Sequence, residues 1–157
     1  MQMQFKLVGE SETEAFGKKI AQWLLKILEK KNQALTINLE GDLGAGKTTF
    51  CRGLIKACGF DGIVRSPTYT LVEEYSFSDF FIYHFDMYRL LDPEELSYMG
   101  VRDYFAKKGL CLIEWPDKAA GFIPKADVVI SFTYGDDGGK SRSVVVKSNL
   151  IDSFTLN

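Results

Sequence analysis

The sequence contains Gly41-Asp42-Leu43-Gly44-Ala45-Gly46-Lys47-Thr48, which matches the pattern G-x-x-x-x-G-K-[ST] at every defined position. The preceding segment alternates around Leu35, Ile37 and Leu39, and it predicts a strand that enters a tight turn at Gly41. A helix is predicted from near Lys47 to Gly59. Strand, glycine-rich loop and helix in this order are the context in which the pattern marks a phosphate-binding loop, and a chance match is on the order of one in a hundred.

The residue types of this loop suit a nucleoside triphosphate with a magnesium ion. Glycines let the backbone curl so that several N–H groups point at phosphate oxygens, and the helix N-terminus adds about half a positive charge. Lys47 is expected to neutralise the β- and γ-phosphates. The Thr48 hydroxyl is expected to ligate Mg²⁺, a hard ion that prefers oxygen. The further predicted contacts to the nucleotide are Gly44, Ala45, Gly46 and Thr49.

A magnesium–nucleotide site also needs an acidic group for the metal's water shell and a residue that positions the attacking water. Two carboxylates follow apolar runs that predict strands. Asp86 closes the run from Phe81 to Phe85, and Glu114 closes the run from Leu110 to Ile113, so either could project toward the phosphates from a strand end. The alternative for each is a solvated carboxylate at a strand terminus.

Three other features have a functional and a structural interpretation. The segment Ser66-Pro67-Thr68-Tyr69-Thr70 is rich in hydroxyl groups, which fits a loop that senses the γ-phosphate side of the metal or a polar entry into a strand. His84 lies between apolar neighbours, which favours a structural histidine over a catalyst. Trp115, beside Glu114, is interpreted as a packing residue.

The rest of the chain predicts further helices and strands. An amphipathic helix begins with the capping box Ser11-Glu12-Thr13-Glu14, and another helix starts at Asp92-Pro93-Glu94-Glu95. Hairpins are predicted from residues 69–75 with 80–85 and from 128–134 with 143–147, and a central strand from 110–113. Together they predict one α/β domain over residues 1–157, a three-layer P-loop NTPase-like domain whose mixed parallel and antiparallel sheet is flanked by helices.

The composition excludes several classes of protein. The 157 residues carry 19 basic and 21 acidic side chains, a net charge of −2, so no strong autonomous binding to nucleic acid or anionic lipid is expected. The three cysteines form no C-x-x-C pair, and a single histidine rules out metal sites that need two. Because neither a signal peptide pattern nor a long apolar run is found, we expect a cytoplasmic protein.

The order of the motifs resembles that of the TsaE family, formerly called YjeE. The matching segments cover the chain densely between Gly41 and Pro116, and the chain length and the predicted terminal hairpin also agree with the family. In chain order they are Gly41 to Thr49, Ser66-Pro67-Thr68-Tyr69-Thr70-Leu71-Val72, His84-Phe85-Asp86-Met87-Tyr88-Arg89, Asp92-Pro93-Glu94-Glu95-Leu96 and Glu114-Trp115-Pro116.

The resemblance implies a small bacterial ATPase that uses ATP and Mg²⁺. Its implied pathway places threonylcarbamoyl on the adenosine beside the anticodon of tRNAs that read codons beginning with A. The implied partners are the TsaD and TsaB proteins, with a TsaC-type enzyme making the activated intermediate, and tRNA is then met through the partner complex.

The resemblance also implies roles for particular residues around the phosphates. Lys47 is implied to bind phosphate, Thr48 and Glu114 to serve the Mg²⁺ site, and Asp86 to support the waters of the metal. Glu114 and Asp86 are therefore candidate catalytic residues as well as candidate metal ligands.

Further candidates lie outside the phosphate site. Thr68 and Thr70 belong to an implied switch segment and are also candidate catalytic residues, and Trp115 is implied to lie near the nucleotide. No sequence motif marks the residues that contact the base of the nucleotide. Glu10, before the first helix, and Lys140, in the last hairpin, are chosen for them by position alone.

Three other functions compete with a partner-driven ATPase. A P-loop kinase for a small metabolite would share Lys47 and Thr48 but usually adds an arginine-rich lid, and this sequence has no arginine cluster. A GTPase switch would need the guanine-reading N-K-x-D, which is absent, and the D-x-x-G match at Asp136 to Gly139 falls in a predicted hairpin turn. A non-enzymatic interaction module would bind nucleotide without hydrolysing it even when partners are present.

Overall fold

A computed structural model describes residues 1–150 of the chain, and a single seven-stranded sheet organises them. The strands are β1 (Gln2–Val8), β2 (Ala34–Glu40), β3 (Val72–Ser76), β4 (Phe81–Asp86), β5 (Gly109–Glu114), β6 (Val128–Tyr134) and β7 (Ser141–Ser148). The helices are α1 (Gly9–Lys30), α2 (Lys47–Ala57), α3 (Glu95–Tyr98) and α4 (Val101–Ala106), with a 3₁₀ turn at Pro116–Ala119. None of these helices combines the length and the apolar content that a membrane span requires.

The sheet is mixed, as the sequence predicts. Its strand order is β1-β7-β6-β2-β5-β4-β3, in which β2, β4, β5 and β6 run parallel and β1, β3 and β7 run antiparallel to their neighbours. The antiparallel pairs β3–β4 and β6–β7 are the two predicted hairpins, and β1 adds a further antiparallel pairing with β7. Because parallel strands present their carboxyl ends at one edge, the ends of β2, β4 and β5 meet there.

The sheet has helices on both faces, which gives the predicted three layers. Side chains alternate along a strand, so Leu110 and Leu112 of β5 pack toward α1 and α2, whereas Cys111 and Ile113 pack toward α3 and α4. Every residue of β5 is buried. The continuous apolar run in this strand is therefore explained by burial on both faces of the sheet.

Helices α1 and α2 approach each other closely through two glycines. A Cβ atom on Gly53 would lie 2.3 Å from the Glu14 carbonyl oxygen, and one on Gly17 would lie 2.4 Å from the Phe50 carbonyl oxygen. The absence of side chains at these two positions permits the contact between the helices. This contact fixes the start of α2 against α1.

The beginning of the chain differs from the prediction. Residues 2–8 form an edge strand, β1, that the sequence reading missed, and α1 begins at Gly9 rather than at the predicted capping box. The box does not form because Ser11 lies inside the first turn of the helix and not at its N-cap, and the Glu12 carboxylate instead accepts a hydrogen bond from the Val8 N–H at 2.5 Å. A carboxylate in the first turn also suits the helix dipole there.

Of two other predicted boundaries, the start of β3 is wrong and the end of α2 is confirmed. β3 begins at Val72 instead of at residue 69, because Leu71 adopts a left-handed conformation (φ 70°) and residues 68–70 form a turn. Helix α2 does stop at the predicted glycine, because its last residue is Ala57, the half-buried Cys58 is its C-cap, and Gly59 follows in a left-handed conformation (φ 109°).

Candidate phosphate and metal site

The segment Gly41–Thr48, called the P-loop below, connects the end of β2 to the first turn of α2. Gly46 precedes the helix with φ 109°, and Gly41 has φ 147° with its Cα packed so close to β6 that a Cβ atom would lie 2.6 Å from the Phe132 carbonyl oxygen. Other residues adopt such backbone angles only with strain, which is why glycine occupies these positions. The loop thus places Lys47 and Thr48 at the N-terminus of an eleven-residue helix.

Two strand-end carboxylates face the P-loop. Asp86 and Glu114 are register partners at the carboxyl ends of β4 and β5, and strand alternation puts both on the sheet face that carries α2. Both side chains are buried, with 8% of Asp86 and 3% of Glu114 exposed. The Thr48 hydroxyl lies 3.3 Å from Oε1 of Glu114, so helix and strand contribute neighbouring oxygens.

Burial and charge act in opposite directions on these groups. Burial lowers the pKa of Lys47, and the carboxylates of Glu114 and Asp86 partly offset this effect. Burial raises the pKa of Asp86, while the backbone N–H of Tyr88, which donates to its Oδ1 at 3.0 Å, lowers it. Two carboxylates and a hydroxyl form a set of hard oxygen donors, which fits Mg²⁺.

Trp115 covers the lysine of the P-loop. It follows Glu114 directly, adopts a left-handed backbone (φ 57°), and places its ring centroid 3.9 Å from Nζ of Lys47. The same ammonium donates a hydrogen bond to the carbonyl oxygen of Gly41. In this arrangement Lys47 is held by its own loop and by the indole ring, with both contacts made on the protein itself.

Two adjoining cavities lie along the P-loop. One, of about 300 Å³, is lined by Glu10, Leu43, Gly44, Gly46, Lys47, Thr48, Thr49, Thr68, Asp86, Glu114 and Trp115. The other, of about 200 Å³, is lined by Gly9, Glu10, Thr13, Gly44, Ala45, Gly46, Thr49, Gly139, Lys140 and Arg142. The structure therefore brings nearly all the candidate residues, Glu10 and Lys140 included, to the walls of these cavities.

Thr70 is the exception among the candidate residues. It lines neither cavity, and its hydroxyl donates instead to a carboxylate oxygen of Glu73 at 3.0 Å. Thr68, two residues earlier, lines the first cavity, and its hydroxyl lies 2.7 Å from that of Ser66.

The last hairpin braces the P-loop, a contact that the sequence reading missed. The Tyr134 hydroxyl donates to the Leu43 carbonyl oxygen at 2.9 Å, and the Arg142 guanidinium donates to the Gly44 carbonyl oxygen at 3.3 Å. The Arg142 guanidinium also stacks 4.3 Å from the Tyr134 ring centroid. No local signal in the sequence links residues that are about a hundred positions apart.

His84 makes a further contact that the sequence reading missed. Its Nε2 lies 2.7 Å from Oε2 of Glu114, and both side chains are buried. Strand alternation places His84 on the same face as Asp86, two residues later, but no signal in the sequence indicates its contact with Glu114 on the neighbouring strand.

Comparison with known proteins identifies the family. A family model described as "Threonylcarbamoyl adenosine biosynthesis protein TsaE" matches residues 7–144. The tRNA threonylcarbamoyladenosine biosynthesis protein TsaE of Haemophilus influenzae is 51% identical over 135 residues, which span 86% of this chain and 84% of the relative. The chain belongs to the TsaE family.

Two further relatives of this TsaE-family chain come from Bacillus subtilis. The TsaE protein of strain 168 is 37% identical over 137 residues, which span 87% of the chain and 81% of the relative. A crystal structure of YdiB superposes with a TM-score of 0.75 at 30% identity, covering 94% of this chain and 86% of that one. The range that the family model matches, residues 7–144, includes every candidate site residue named above.

Proposed function

We propose that this TsaE-family protein binds and hydrolyses ATP with Mg²⁺, and that hydrolysis drives a TsaD–TsaB complex through its cycle. This complex would work in the cytoplasm on tRNAs that read codons beginning with A. It would place threonylcarbamoyl on the adenosine beside the anticodon. A TsaC-type enzyme would supply the activated intermediate. The proposal depends above all on the 3.3 Å approach of the Thr48 hydroxyl to the Glu114 carboxylate beside the P-loop.

The residues of the site would divide the work by their chemistry. Backbone N–H groups of the P-loop and the N-terminus of α2 would hold the phosphates, and the Lys47 ammonium would neutralise their charge after leaving Gly41 and Trp115. Thr48, Asp86 and Glu114 would hold Mg²⁺ directly or through its waters. When bound, the ion would neutralise charge that develops on the phosphate oxygens.

The two carboxylates differ in their surroundings, which supports different roles. Glu114 is nearly enclosed and contacts Thr48 and His84, so its charge is poorly screened and it suits electrostatic stabilisation or positioning of water. Asp86 lines the same cavity as Glu114 but is more exposed, 8% against 3%, and accepts a backbone hydrogen bond from Tyr88, which suits support of the metal's waters.

The test is ATP hydrolysis by the purified protein, with and without a TsaD–TsaB complex, using Lys47→Ala as the inactive control. We expect weak hydrolysis alone, stimulation by the complex, and loss of both in the variant, because without the ammonium the phosphate charge faces only backbone dipoles. Acceleration of ADP formation by a small hydroxyl compound, but not by TsaD–TsaB, would favour a kinase. Nucleotide binding without hydrolysis in the presence of the complex would favour an interaction module.

A further inference from the structure

The chain's single histidine lies directly beneath the candidate metal site. His84 is wholly buried on β4, on the face that carries α2. Its register partner on β5 is Leu112, two residues before Glu114, so the imidazole reaches Glu114 diagonally across the two parallel strands. Its Nε2 lies 2.7 Å from Oε2 of Glu114, which is the length of a strong hydrogen bond.

The direction of this hydrogen bond follows from the surroundings of the ring. Nδ1 of His84 is buried and has no hydrogen-bond partner in residues 1–150. A proton on Nδ1 would be a buried donor without an acceptor among these residues, which is unfavourable because the desolvation of the N–H is not compensated. With the proton on Nε2 instead, the ring donates to the Glu114 carboxylate and no buried donor is left unsatisfied.

The contact holds the Glu114 carboxylate between His84 and the P-loop. Oε2 accepts from His84, and the Thr48 hydroxyl lies 3.3 Å from Oε1 and 3.4 Å from Oε2 on the other side of the same carboxylate. Carboxylate ligands of metals are commonly held by such hydrogen bonds, and loss of the supporting group typically costs 10–100-fold in metal affinity.

We propose that His84 is a positioning residue for the magnesium site: its Nε2–H holds the Glu114 carboxylate beside the Thr48 hydroxyl. This inference rests on the proposed function, since it concerns the same Mg²⁺-dependent nucleotide site. His84 itself contacts neither nucleotide nor metal in this proposal, and it acts only through Glu114.

A competing interpretation makes the histidine itself a metal ligand. The Cys51 sulfur, a ring nitrogen of His84 and a carboxylate oxygen of Glu114 all lie within 4.8 Å of one another, and thiolate, imidazole and carboxylate suit Zn²⁺. A metal bound at Nε2 would require the proton on Nδ1, for which residues 1–150 supply no acceptor. It would also require a Cys51 thiolate, although Cys51 is fully buried. The geometry therefore favours the hydrogen bond.

The first test compares ATP affinity with and without Mg²⁺, measured by calorimetry, for two variants and a control. His84→Leu removes the donor, and His84→Gln keeps an N–H near the position of Nε2. We expect His84→Leu to reduce the affinity gain from Mg²⁺ by about 10–100-fold and to leave Mg²⁺-free ATP binding unchanged. His84→Gln should recover most of the loss, which a purely structural role would not explain.

Tyr83→Phe is the matched control for these variants. Tyr83 is the strand neighbour of His84, faces the α3 and α4 side, and has a buried hydroxyl with no hydrogen-bond partner in residues 1–150. Its variant should show the wild-type response to Mg²⁺. A His84→Leu protein that gains as much affinity from Mg²⁺ as the wild type would overturn the role of His84 and leave the proposed function intact.

A second measurement uses the wild-type protein and needs no variant to fold. Because the chain has one histidine, ¹⁵N labelling of histidine gives ring signals that require no assignment. We expect the Nε2–H tautomer, and a shift of these signals when ATP is added with Mg²⁺ that ATP alone does not produce. An Nδ1–H tautomer would overturn the positioning role alone. A wild type that binds no ATP, or gains nothing from Mg²⁺, would overturn the proposed function and this inference with it.

Discussion

Lys47 has partners in the protein that it must leave in order to reach a phosphate. Its ammonium donates to the Gly41 carbonyl oxygen and lies 3.9 Å from the Trp115 ring centroid. A cation over an indole ring contributes about 0.5–2 kcal/mol, much less than a buried charge pair with a phosphate. Nucleotide binding should therefore transfer the ammonium and change the environment of the indole.

Tryptophan fluorescence should report this transfer. We expect addition of ATP with Mg²⁺ to change the emission of the wild type, and the change to be smaller in Trp115→Phe. The other tryptophan, Trp23, is buried on α1 and serves as the internal control. If Trp23→Phe alone abolished the signal, the indole that senses the nucleotide would not be Trp115.

The two carboxylates should respond differently to loss of charge. Glu114→Gln keeps the shape and a hydrogen-bond acceptor for His84, and we expect it to lower partner-stimulated hydrolysis by about 10²-fold or more. Asp86→Asn should act through Mg²⁺ affinity and be partly rescued by excess Mg²⁺. The measurement is hydrolysis as a function of Mg²⁺ concentration. Full hydrolysis by Glu114→Gln, with an Asp86→Asn protein that Mg²⁺ fails to rescue, would reverse the roles.

Residues differ in how far their place in the site can be derived from sequence. Lys47 and Thr48 are predictable because the loop and the helix that position them are contiguous in the chain. Glu114 and Asp86 are predictable because each ends an apolar strand. The contact of His84 with Glu114 joins residues 30 positions apart, and it depends on which strands are neighbours and in which register.

At the scale of elements, the packing of α1 on α2 holds the P-loop helix in place. We expect Gly53→Ala to lower the free energy of unfolding by about 1–3 kcal/mol, because the new methyl group would overlap the Glu14 carbonyl group and force the helices apart. Lys56→Ala, on the exposed side of the same helix, is the control. The measurement is the denaturant midpoint, and equal midpoints for Gly53→Ala and the wild type would show that the helices adjust without cost.

Some helix and strand boundaries can be predicted from the local sequence, and others cannot. The strand β5 is predictable because burial on both faces leaves a continuous apolar run. Strand β1 carries the alternating residues Met3, Phe5 and Leu7, a signal that is visible in the sequence but short. The start of β3 is set by the left-handed backbone of Leu71, which nothing in that residue type predicts, since such angles usually fall on glycine.

At the scale of the whole molecule, strand order assembles the site from distant parts of the chain. β2 has β5 on one side and β6 on the other, and β7 and β1 follow β6. This order brings Glu10, from the start of α1, and Lys140, before β7, to one cavity beside the P-loop. Sequence patterns predict the fold class and the strands other than β1, but strand order is a property of the folded chain as a whole.

The charges of the site also act on the stability of the whole molecule. Burial raises the pKa of Asp86 in the folded protein, so the folded state binds its proton more tightly than the unfolded state. The stability that this proton contributes is present below the unfolded pKa of about 3.9, and it is lost as the pH rises through the folded pKa. At pH 7 the charged Asp86 should therefore destabilise the protein without ligand.

We accordingly expect Asp86→Asn to melt at a higher temperature than the wild type at pH 7 in the absence of metal and nucleotide, and the difference to shrink as the pH is lowered toward 4. The amide oxygen can still accept the Tyr88 N–H, so the change isolates the charge. Asp61→Asn, at an exposed position, is the control. With ATP and Mg²⁺ in excess the order should reverse, because a ligand stabilises the folded state in proportion to the logarithm of its concentration over Kd, and the wild type binds it more tightly. A variant that melts at a lower temperature than the wild type without ligand would show that Asp86 is structural. A reversed order of the melting temperatures with ligand would show that the charge of Asp86 favours binding at the expense of stability.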